Sequence, residues 1–295
     1  MSVSPDEARV AAGLRDVRSA CVAASGGVDS SLVLALAART LGPDAVVAVT
    51  ALAPVMVPGE PEAARALAAT LGVAHVEVEV ALMDEPGFVA NPRDRCYLCK
   101  GMVLDAVRAV AVERGCEVVL DGANQDDLGD ERPGMRAAAE RGVRHPLLEA
   151  GLGKREVRRL ARALGVAVWD APSQACLASR IPYGDRITLE TLARIGAAER
   201  ALRELGYRRC RVRTHGDIAR VEVPLEDVGR AAGDDREAIA RRLRALGFTY
   251  VALDLDGLRA GSMNEAPAVA EVGASADGPF PADAGPPPGA ADVVA

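Results

Sequence analysis

The chain has 295 residues, enough for two modest domains, and 49% of them are hydrophobic, so it is able to bury a core. Aromatic residues make up only 3%, which predicts a core of Ala, Val and Leu. The net charge is −7, but residues 265–295 carry five acids and no Lys or Arg. The remainder is therefore close to neutral, at about −2, which argues against a large nonspecific nucleic-acid surface and leaves a local basic patch open.

The sequence contains no pattern typical of secretion or membrane insertion. Residues 1–14 are polar and amphipathic and lack the apolar segment of a signal peptide. No apolar run reaches the roughly 18–20 residues of a transmembrane helix. We therefore expect a cytoplasmic protein without a membrane partner. Its six cysteines are expected to be thiols, metal ligands or catalytic groups, since disulfides are rare in that compartment.

Helix and strand patterns alternate through the first part of the chain. The predicted helices cover residues 1–18, 31–38, 60–71, 102–114 and 154–164. The predicted strands cover residues 21–24, 45–50, 75–80, 117–120 and 166–169. This alternation predicts an α/β fold with a doubly wound parallel sheet, whose ligand lies at the carboxyl ends of the strands.

The loop between the first strand and its helix has the sequence S-G-G-V-D-S. Such a loop presents free N–H groups to an anion; Gly26 and Gly27 allow a phosphate to approach closely, and Ser25 and Ser30 add hydroxyl donors. Asp29 would repel phosphate unless Mg²⁺ lies between them. No Lys follows the glycines as in a Walker A motif, and the spacing is not G-x-G-x-x-G. An ordinary turn that caps the helix is the alternative.

Two cysteines follow the third predicted strand, in N-P-R-D-R-C-Y-L-C-K. Cys96 and Cys99 have the spacing of a pair that binds one metal or cluster, or that forms a redox couple. We expect them just before a helix, where Arg93, Arg95 and Lys100 favour the thiolate forms. A purely structural role is the alternative.

A polar loop, D-G-A-N-Q-D-D-L-G-D-E-R-P-G, follows the fourth predicted strand. Polar loops at strand ends often form sites, and five acids here are suited to Mg²⁺ or to a basic group. Asn124 and Asp127 are our candidates to bind Mg-ATP. The alternative is that these acids are simply solvated, and we expect this of Asp126 and Glu131.

A second loop, bounded by prolines, contains Cys176, Arg180 and Tyr183 after the fifth predicted strand. Its position predicts that Cys176 reaches the same crevice as the S-G-G-V-D-S loop, at the carboxyl ends of the strands. A buried loop cysteine is the alternative.

We place a domain boundary near residue 185. Predicted helices over 189–205 and 227–246, a hairpin over 210–223 and a strand over 250–255 indicate a smaller α+β domain. In the hairpin, Arg211 and Arg213 alternate onto one strand face, as suits a phosphate or a carboxylate. An exposed basic strand is the alternative.

The end of the chain is rich in Ala, Gly, Pro and Asp, and predicts a disordered tail. The predicted organisation is therefore a nucleotide-binding domain over 1–185, a substrate-binding domain over 186–264 and a tail over 265–295.

The motifs together resemble one family. S-G-G-V-D-S is similar to the signature of the PP-loop ATP pyrophosphatases, which split ATP between its α and β phosphates. The two cysteine motifs, D-G-A-N-Q-D-D, R-V-R-T-H-G-D-I-A-R-V-E-V and L-D-L-D-G-L-R-A-G-S-M-N resemble the ATP-dependent sulfur transferases of the LarE type. The resemblance spans roughly residues 1–264.

The resemblance implies a reaction. Such enzymes adenylate a carboxylate of pyridinium-3,5-biscarboxylic acid mononucleotide and convert it to a thiocarboxylate, in the synthesis of the nickel-pincer nucleotide cofactor of lactate racemase. It implies ATP and Mg²⁺ as cofactors, with Asp29 on the metal, a small nucleotide as substrate, and a homo-oligomer, commonly a hexamer.

The resemblance also implies residue roles. Cys176 matches the sulfur-donor position; in one version of the family it gives up its own sulfur, and in the other three cysteines hold a [4Fe-4S] cluster that carries an extra sulfide. Because Cys96, Cys99 and Cys176 are all present, we favour the cluster version. The other expected roles are phosphate neutralisation by Lys100 and Arg180, substrate phosphate binding by Arg211 and Arg213, and a place near the catalytic pocket for Glu199.

Three other functions are weighed against this one. A PP-loop tRNA thiolase needs an RNA-binding module, and the sequence has no basic, aromatic-rich segment for one. A synthetase that transfers ammonia would leave the three cysteines without a role. A non-catalytic nucleotide or iron–sulfur sensor would bind ATP without ATP–pyrophosphate exchange.

Overall fold

The computed structural model describes residues 3–129, 133–172 and 174–259. The strands are β1 (Ala20–Ala23), β2 (Val46–Leu52), β3 (Ala74–Glu79), β4 (Val118–Leu120), β5 (Arg211–His215), β6 (Ile218–Glu222) and β7 (Tyr250–Leu253). The helices are α1 (Pro5–Gly13), α2 (Val28–Leu41), α3 (Glu60–Leu71), α4 (Pro86–Val89), α5 (Arg95–Glu113), α6 (Pro133–Glu140), α7 (Pro146–Glu149), α8 (Lys154–Ala163), α9 (Leu189–Glu204), α10 (Val228–Ala232) and α11 (Arg236–Ala245).

The first sheet is parallel and has the order β3-β2-β1-β4. Helices α1, α2 and α8 pack on one face around Leu32, Leu36 and Leu160. Helices α5 and α6 pack on the other face, where Leu104 and Val107 belong to the core. Burial on both faces explains why β1 and β2, the two middle strands, are short apolar runs, whereas the edge strand β3 alternates between apolar and polar residues. The prediction of an α/β fold with a central parallel sheet is confirmed.

The predicted strand over 166–169 is wrong. After α8, the amide of Val166 donates to the Ala161 carbonyl and that of Trp169 donates to the Val166 carbonyl, so the segment forms turns. Beside β4 the edge of the sheet is extended instead by Arg144, in an isolated parallel bridge with Leu120. The apolar run is explained by burial alone, since Val166 lies in the core beneath α8.

The second sheet has the order β5-β6-β7, with an antiparallel hairpin and a parallel third strand. The predicted single helix over 227–246 is wrong, because the chain breaks between α10 and α11 at Gly233. There the Asp235 carboxylate accepts from the Tyr207 hydroxyl at 2.8 Å and pairs with Arg230 at 2.8 Å. These contacts hold the turn in place of a continuous helix.

Helix α9 contributes to both parts of the molecule. Leu192 and Ile195 pack with Phe88 and Leu177, next to the first sheet. Leu202, further along the helix, packs in the core of the second sheet. The boundary near residue 185 stays a prediction, and the predicted tail over 265–295 lies outside the described residues.

None of the helices within residues 3–129, 133–172 and 174–259 is both long enough and apolar enough to cross a membrane.

The close packing of Gly26 predicts that a side chain at this position would destabilise the fold. This residue has φ +86°, and a Cβ there would lie 1.9 Å from the carbonyl oxygen of Glu60, at the start of α3. We expect Gly26→Ala to lower the free energy of unfolding by more than about 3 kcal/mol. Gly72→Ala is the matched control: φ is +68°, but its Cβ would meet nothing within 4 Å, so the expected loss is only about 1 kcal/mol. Urea denaturation measures both, and equal losses would contradict the steric argument.

Candidate active site

The S-G-G-V-D-S loop joins β1 to α2 as predicted. Gly27 is the N-cap of α2, and within the described chain no side chain caps this helix start. The hydroxyls of Ser25 and Ser30 lie 3.0 Å apart, and the Ser30 hydroxyl also accepts from the Ser25 amide at 3.2 Å. The hydroxyls thus hold the loop in shape, while the amides at the start of α2 remain available to an anion.

A cavity of 1030 Å³ lies at the carboxyl ends of the first sheet. It brings together many of the sequence-predicted site residues, namely Ser25, Gly27, Asp29, Ser30, Cys96, Cys99, Lys100, Asp127 and Cys176. Among the predicted residues outside its lining, Asn124, Arg180, Glu199 and Arg213 are buried, and the Asn124 side-chain amide donates to Asp29 in the loop. The parallel topology therefore places the phosphate loop and all three predicted cluster cysteines around one space.

Asp29 is held by groups from two other segments. Its carboxylate pairs with the Lys154 ammonium at the start of α8 and accepts from the Asn124 side-chain amide at 3.2 Å. Asp127 accepts from the Asn124 backbone amide at 3.0 Å, and Asp126 accepts from that of Lys154 at 2.8 Å. Sequence reasoning missed Lys154, which looks like the first residue of a solvated basic helix.

The residues around Asp29 fit Mg²⁺ bound together with a nucleotide. Asp29 and Asp127 supply carboxylate oxygens, the ligand type that Mg²⁺ prefers, and a protein usually offers only one or two of these beside the substrate phosphates. In the part of the chain that is described, no three His, Cys, Asp or Glu side chains are grouped so as to hold a single metal ion.

Lys100 is positioned by a buried acid that sequence reasoning did not single out. Asp121, at the end of β4, accepts from Lys100 at 2.9 Å and lies 2.6 Å from His145 Nδ1. Burial opposes ionisation of Asp121, but Lys100 and His145 outweigh it and hold the pKa of that carboxyl well below its usual range. The Lys100 ammonium is thereby fixed in the cavity wall.

Cys96 and Cys99 lie in the first turns of α5, which begins at Arg95. The prediction that they precede the helix is wrong. The predicted preference for thiolates is also wrong for the metal-free chain: burial and then Cys176 raise the pKa of Cys96, and burial raises that of Cys99 to about 12. Cys96 is exposed and lines the main cavity.

Asn91 and Arg95 join the two cysteine segments. Asn91 adopts φ 57° and donates to the carbonyls of Pro182 at 2.7 Å and Asp185 at 3.0 Å. It also accepts from Arg95 at 2.7 Å, and the Arg95 guanidinium lies over the Tyr183 ring, 4.4 Å from its centre. Sequence reasoning missed both joining roles, because their partners lie about 90 residues away in the chain.

Three thiols line the main cavity, and thiols are the ligand type of an anionic iron–sulfur cluster. A second observation agrees, because the buried Arg95 side chain has an Nε atom without a hydrogen-bond partner in the described chain. The residues present therefore suit a [4Fe-4S] cluster held by Cys96, Cys99 and Cys176.

Arg180 holds the backbone around Cys176. Its guanidinium donates to the carbonyls of Ala175 at 2.6 Å and Cys176 at 3.2 Å. It also forms a two-pronged pair with Glu199 at 2.7 and 3.2 Å, in which both side chains are at most 1% exposed. The predicted role of Arg180 in phosphate neutralisation stays a prediction, while its contacts make it a positioning group for Cys176.

A second cavity, of 580 Å³, lies beside the first, and Gln174 lines both. Its described lining carries a single acid, Asp170, among seven arginines, which are Arg158, Arg180, Arg203, Arg208, Arg209, Arg211 and Arg259. Such a concentration of guanidinium groups suits a ligand with several anionic groups.

The two arginines predicted to bind phosphate have different surroundings. Arg211 lines the second cavity and donates to the Arg259 carbonyl at 2.9 Å; burial, then the charges of Arg213 and Arg180, lower its pKa. Arg213 is buried, pairs with Glu222 at 2.7 Å and donates to the Ser179 carbonyl at 2.7 Å. Only Arg211 is therefore presented to the cavity.

Glu60 is a further cavity residue that sequence reasoning missed. It begins α3 and lines the main cavity. Burial raises its pKa to about 7, although the Val57 amide and the charge of Arg180 oppose this shift. An acid at a helix start is usually solvated, so only the tertiary packing reveals this one.

The fold and the loop together define a class. A parallel α/β sheet with S-G-G-V-D-S at its carboxyl edge, opening onto a cavity, is the nucleotide site of a PP-loop ATP-using enzyme. The asparagine synthase family matches residues 7–122. A component of the glutamine-hydrolyzing GMP synthase of Archaeoglobus fulgidus is 28% identical over 157 residues, which are 50% of this chain and 51% of that protein.

Two relatives match over most of the chain. An uncharacterized protein of Synechocystis sp., slr1717, is 45% identical over 246 residues, covering 83% of this chain and 91% of that protein. The pyridinium-3,5-bisthiocarboxylic acid mononucleotide synthase of Lactiplantibacillus plantarum is 38% identical over 265 residues, covering 90% and 95%. The chain therefore belongs to the LarE family of ATP-dependent sulfurtransferases, which confirms the resemblance noted in its sequence.

The raised pKa of Glu60 predicts a pH-dependent stability. Between its ordinary value of 4.5 and about 7, the folded chain binds more protons than the unfolded chain, so this residue lowers stability as the pH rises. Glu60→Gln removes this loss of stability. We expect the substitution to raise the free energy of unfolding by on the order of 1–3 kcal/mol at pH 8 and to change it very little near pH 5.

Chemical denaturation at both pH values checks this prediction. Glu62→Gln is the matched control, because Glu62 is exposed on the same helix, and it should show no such gain. A gain of equal size at both pH values for Glu60→Gln would contradict the assignment.

Proposed function

We propose that this enzyme adenylates a carboxylate of a pyridinium carboxylate mononucleotide and then replaces one oxygen of that carboxylate by sulfur. The observation that carries the proposal is the place of Cys176, which lies on the same cavity as the phosphate loop and next to the arginine-lined cavity. The name of the Lactiplantibacillus plantarum relative supports the same substrate class.

Adenylation makes the carboxylate reactive. A carboxylate oxygen attacks the α-phosphorus of ATP, the bond to the β-phosphate oxygen breaks, and pyrophosphate leaves. The amides at the start of α2 and the Lys100 ammonium, held by Asp121, are placed to stabilise the charge on the phosphates. Mg²⁺, which Asp29 and Asp127 would hold, supplies further charge neutralisation when bound.

Sulfur transfer follows at the acyl-adenylate. A sulfur nucleophile adds to the carboxyl carbon, and AMP leaves with the electron pair of the broken C–O bond. Cys96, Cys99 and Cys176 would hold a [4Fe-4S] cluster, which supplies a nucleophilic sulfide on its open iron. In the other arrangement, the Cys176 thiolate displaces AMP to form a thioester. Loss of its Cα proton then breaks the Cβ–Sγ bond, which releases the thiocarboxylate and leaves dehydroalanine. In both, Arg180 fixes the backbone that carries Cys176.

The arginine-lined cavity is the proposed site for the anionic parts of the substrate. Arg211 lines this cavity. Within the described chain, the only hydrogen-bond acceptor of the Arg211 side chain is the Arg259 carbonyl. Arg213 would contact the substrate phosphate only while it also keeps its ion pair with Glu222. A small mononucleotide needs no extended nucleic-acid surface. The predicted hexamer and cytoplasmic location stay predictions.

Cys176→Ala separates the two half-reactions. We expect pyrophosphate release with ATP and the pyridinium biscarboxylate mononucleotide to continue, because the phosphate loop is intact, while thiocarboxylate formation stops. Mass spectrometry of the product measures the second step. Cys116→Ala is the control, since Cys116 lies outside the cavity lining, and both steps should persist.

The same assays test the function as a whole. Normal thiocarboxylate yield from Cys176→Ala would remove this cysteine from the mechanism. Wild-type protein that binds ATP but shows no ATP–pyrophosphate exchange with this substrate would indicate a sensor instead. After anaerobic purification, about four irons per chain with no mass change on turnover indicate the cluster version. Loss of one H₂S from Cys176 indicates the single-use version.

Arg211→Ala tests the substrate site. Loss of charge-assisted hydrogen bonds to a phosphate should raise KM for the mononucleotide roughly 10- to 100-fold, with little change in KM for ATP. Arg200→Ala, an exposed arginine on α9, is the control and should change neither. Similar increases in both KM values for Arg211→Ala would place the phosphate elsewhere. Steady-state kinetics with each substrate varied in turn provides the measurement.

A further inference from the structure

Three arginine side chains are buried in the described chain, and one of them differs from the other two. Arg180 and Arg213, 1% and 2% exposed, each form a two-pronged pair with a buried carboxylate, on Glu199 and Glu222. Arg95 is 4% exposed and has no carboxylate partner in the described chain. Burial of a guanidinium is costly unless an anion compensates it, so an arginine without one points to an anion that binds beside it.

The contacts of Arg95 leave part of its guanidinium unused. Nη1 donates to the Asn91 side chain at 2.7 Å, and the Tyr183 ring covers one face at 4.4 Å from its centre. Nε is buried and has no hydrogen-bond partner among the described residues. Neither the amide oxygen nor the ring supplies a full negative charge.

The ionisable groups near this charge are thiols. Arg95 is adjacent in sequence to Cys96, and its charge acts on both Cys96 and Cys99. Cys176 and Tyr183 line the same cavity as Cys96 and Cys99. Arg95 is buried and is not among the residues that line this cavity, so its charge would act on an anion bound by the three cysteines from behind the cavity wall.

We propose that Arg95 is the built-in counter-charge of an anionic iron–sulfur cluster on Cys96, Cys99 and Cys176, and that it governs how tightly the cluster is retained and how easily it is reduced. This inference rests on the cluster version of the proposed function. A [4Fe-4S] cluster on three thiolates is net negative, and a sulfide on its open iron adds to that charge. Because a guanidinium does not lose its proton in proteins, the counter-charge is permanent.

The proposal predicts opposite effects on the two forms of the protein. In the metal-free chain, Arg95→Met removes an uncompensated buried charge, so the Tm should stay the same or rise. In the loaded chain, the cluster loses its counter-charge, so its reduction potential should become more negative and its iron should be lost faster. A purely structural role would lower the Tm and leave the potential unchanged.

The test compares the wild type with Arg95→Met, Arg95→Lys and Arg162→Met. Arg162 is the matched control, because it also lies over an aromatic ring, 4.8 Å from the centre of Trp169, but is exposed and does not line the main cavity. Each protein is reconstituted anaerobically with iron and sulfide, and we measure iron per chain, iron loss to a chelator, the reduction potential by spectroscopic titration, and the Tm of the metal-free form.

We expect Arg95→Met to lose iron at least about fivefold faster than the wild type. Its potential should be more negative, and its metal-free Tm should not be lowered. Arg95→Lys, which keeps the charge, and Arg162→Met should behave like the wild type. If Arg95→Met does not fold, Arg95→Gln serves for the same comparison.

Two results would overturn the inference, and they are distinguishable. Wild-type chain that takes up the cluster, with retention and potential unchanged in the neutral Arg95 variants, overturns the role of Arg95 alone. Wild-type chain that takes up no cluster overturns both this inference and the cluster version of the proposed function.

Discussion

The buried ion pair between Arg180 and Glu199 is the interaction on which the site depends. Glu199, on α9, accepts from Arg180 and also from the backbone amide of Val212 at the start of the second sheet. Arg180 in turn holds the carbonyls of Ala175 and Cys176. One carboxylate thus connects the second sheet to the loop that carries Cys176. Loss of either partner would leave an uncompensated buried charge, at a cost of about 3–5 kcal/mol.

Charge is distributed differently in the two cavities. The main cavity combines the start of α2 with Lys100, which is held by Asp121, and with Asp29, which pairs with Lys154. The second cavity has an excess of arginine and suits an anionic substrate. The thiols lie along the main cavity, and Gln174 contacts both spaces. In the proposed function, the activated carboxylate would meet the sulfur nucleophile where the two cavities adjoin.

Local patterns were sufficient where the chemistry is local. The S-G-G-V-D-S loop, the parallel sheet and the three cysteines were predicted because turn-forming residues, apolar periodicity and ligand spacing act over a few positions. The same reasoning failed at residues 166–169, where an apolar run is buried without strand pairing. It also failed at Gly233, where side-chain contacts with Asp235 interrupt a helical pattern.

The sequence by itself determined the class of fold, the nucleotide loop and the set of candidate ligands, because these depend on residue type and spacing. Only the tertiary structure decided the partners and the hydration of the charged groups. Lys154 pairs with Asp29 across 125 positions, and the loop after Cys176 reaches Asn91 across about 90. The buried state of Glu60 and the absence of a carboxylate beside Arg95 in the described chain likewise depend on what packs around them. Desolvation and ion pairing are set by distances in space, which local sequence patterns do not encode.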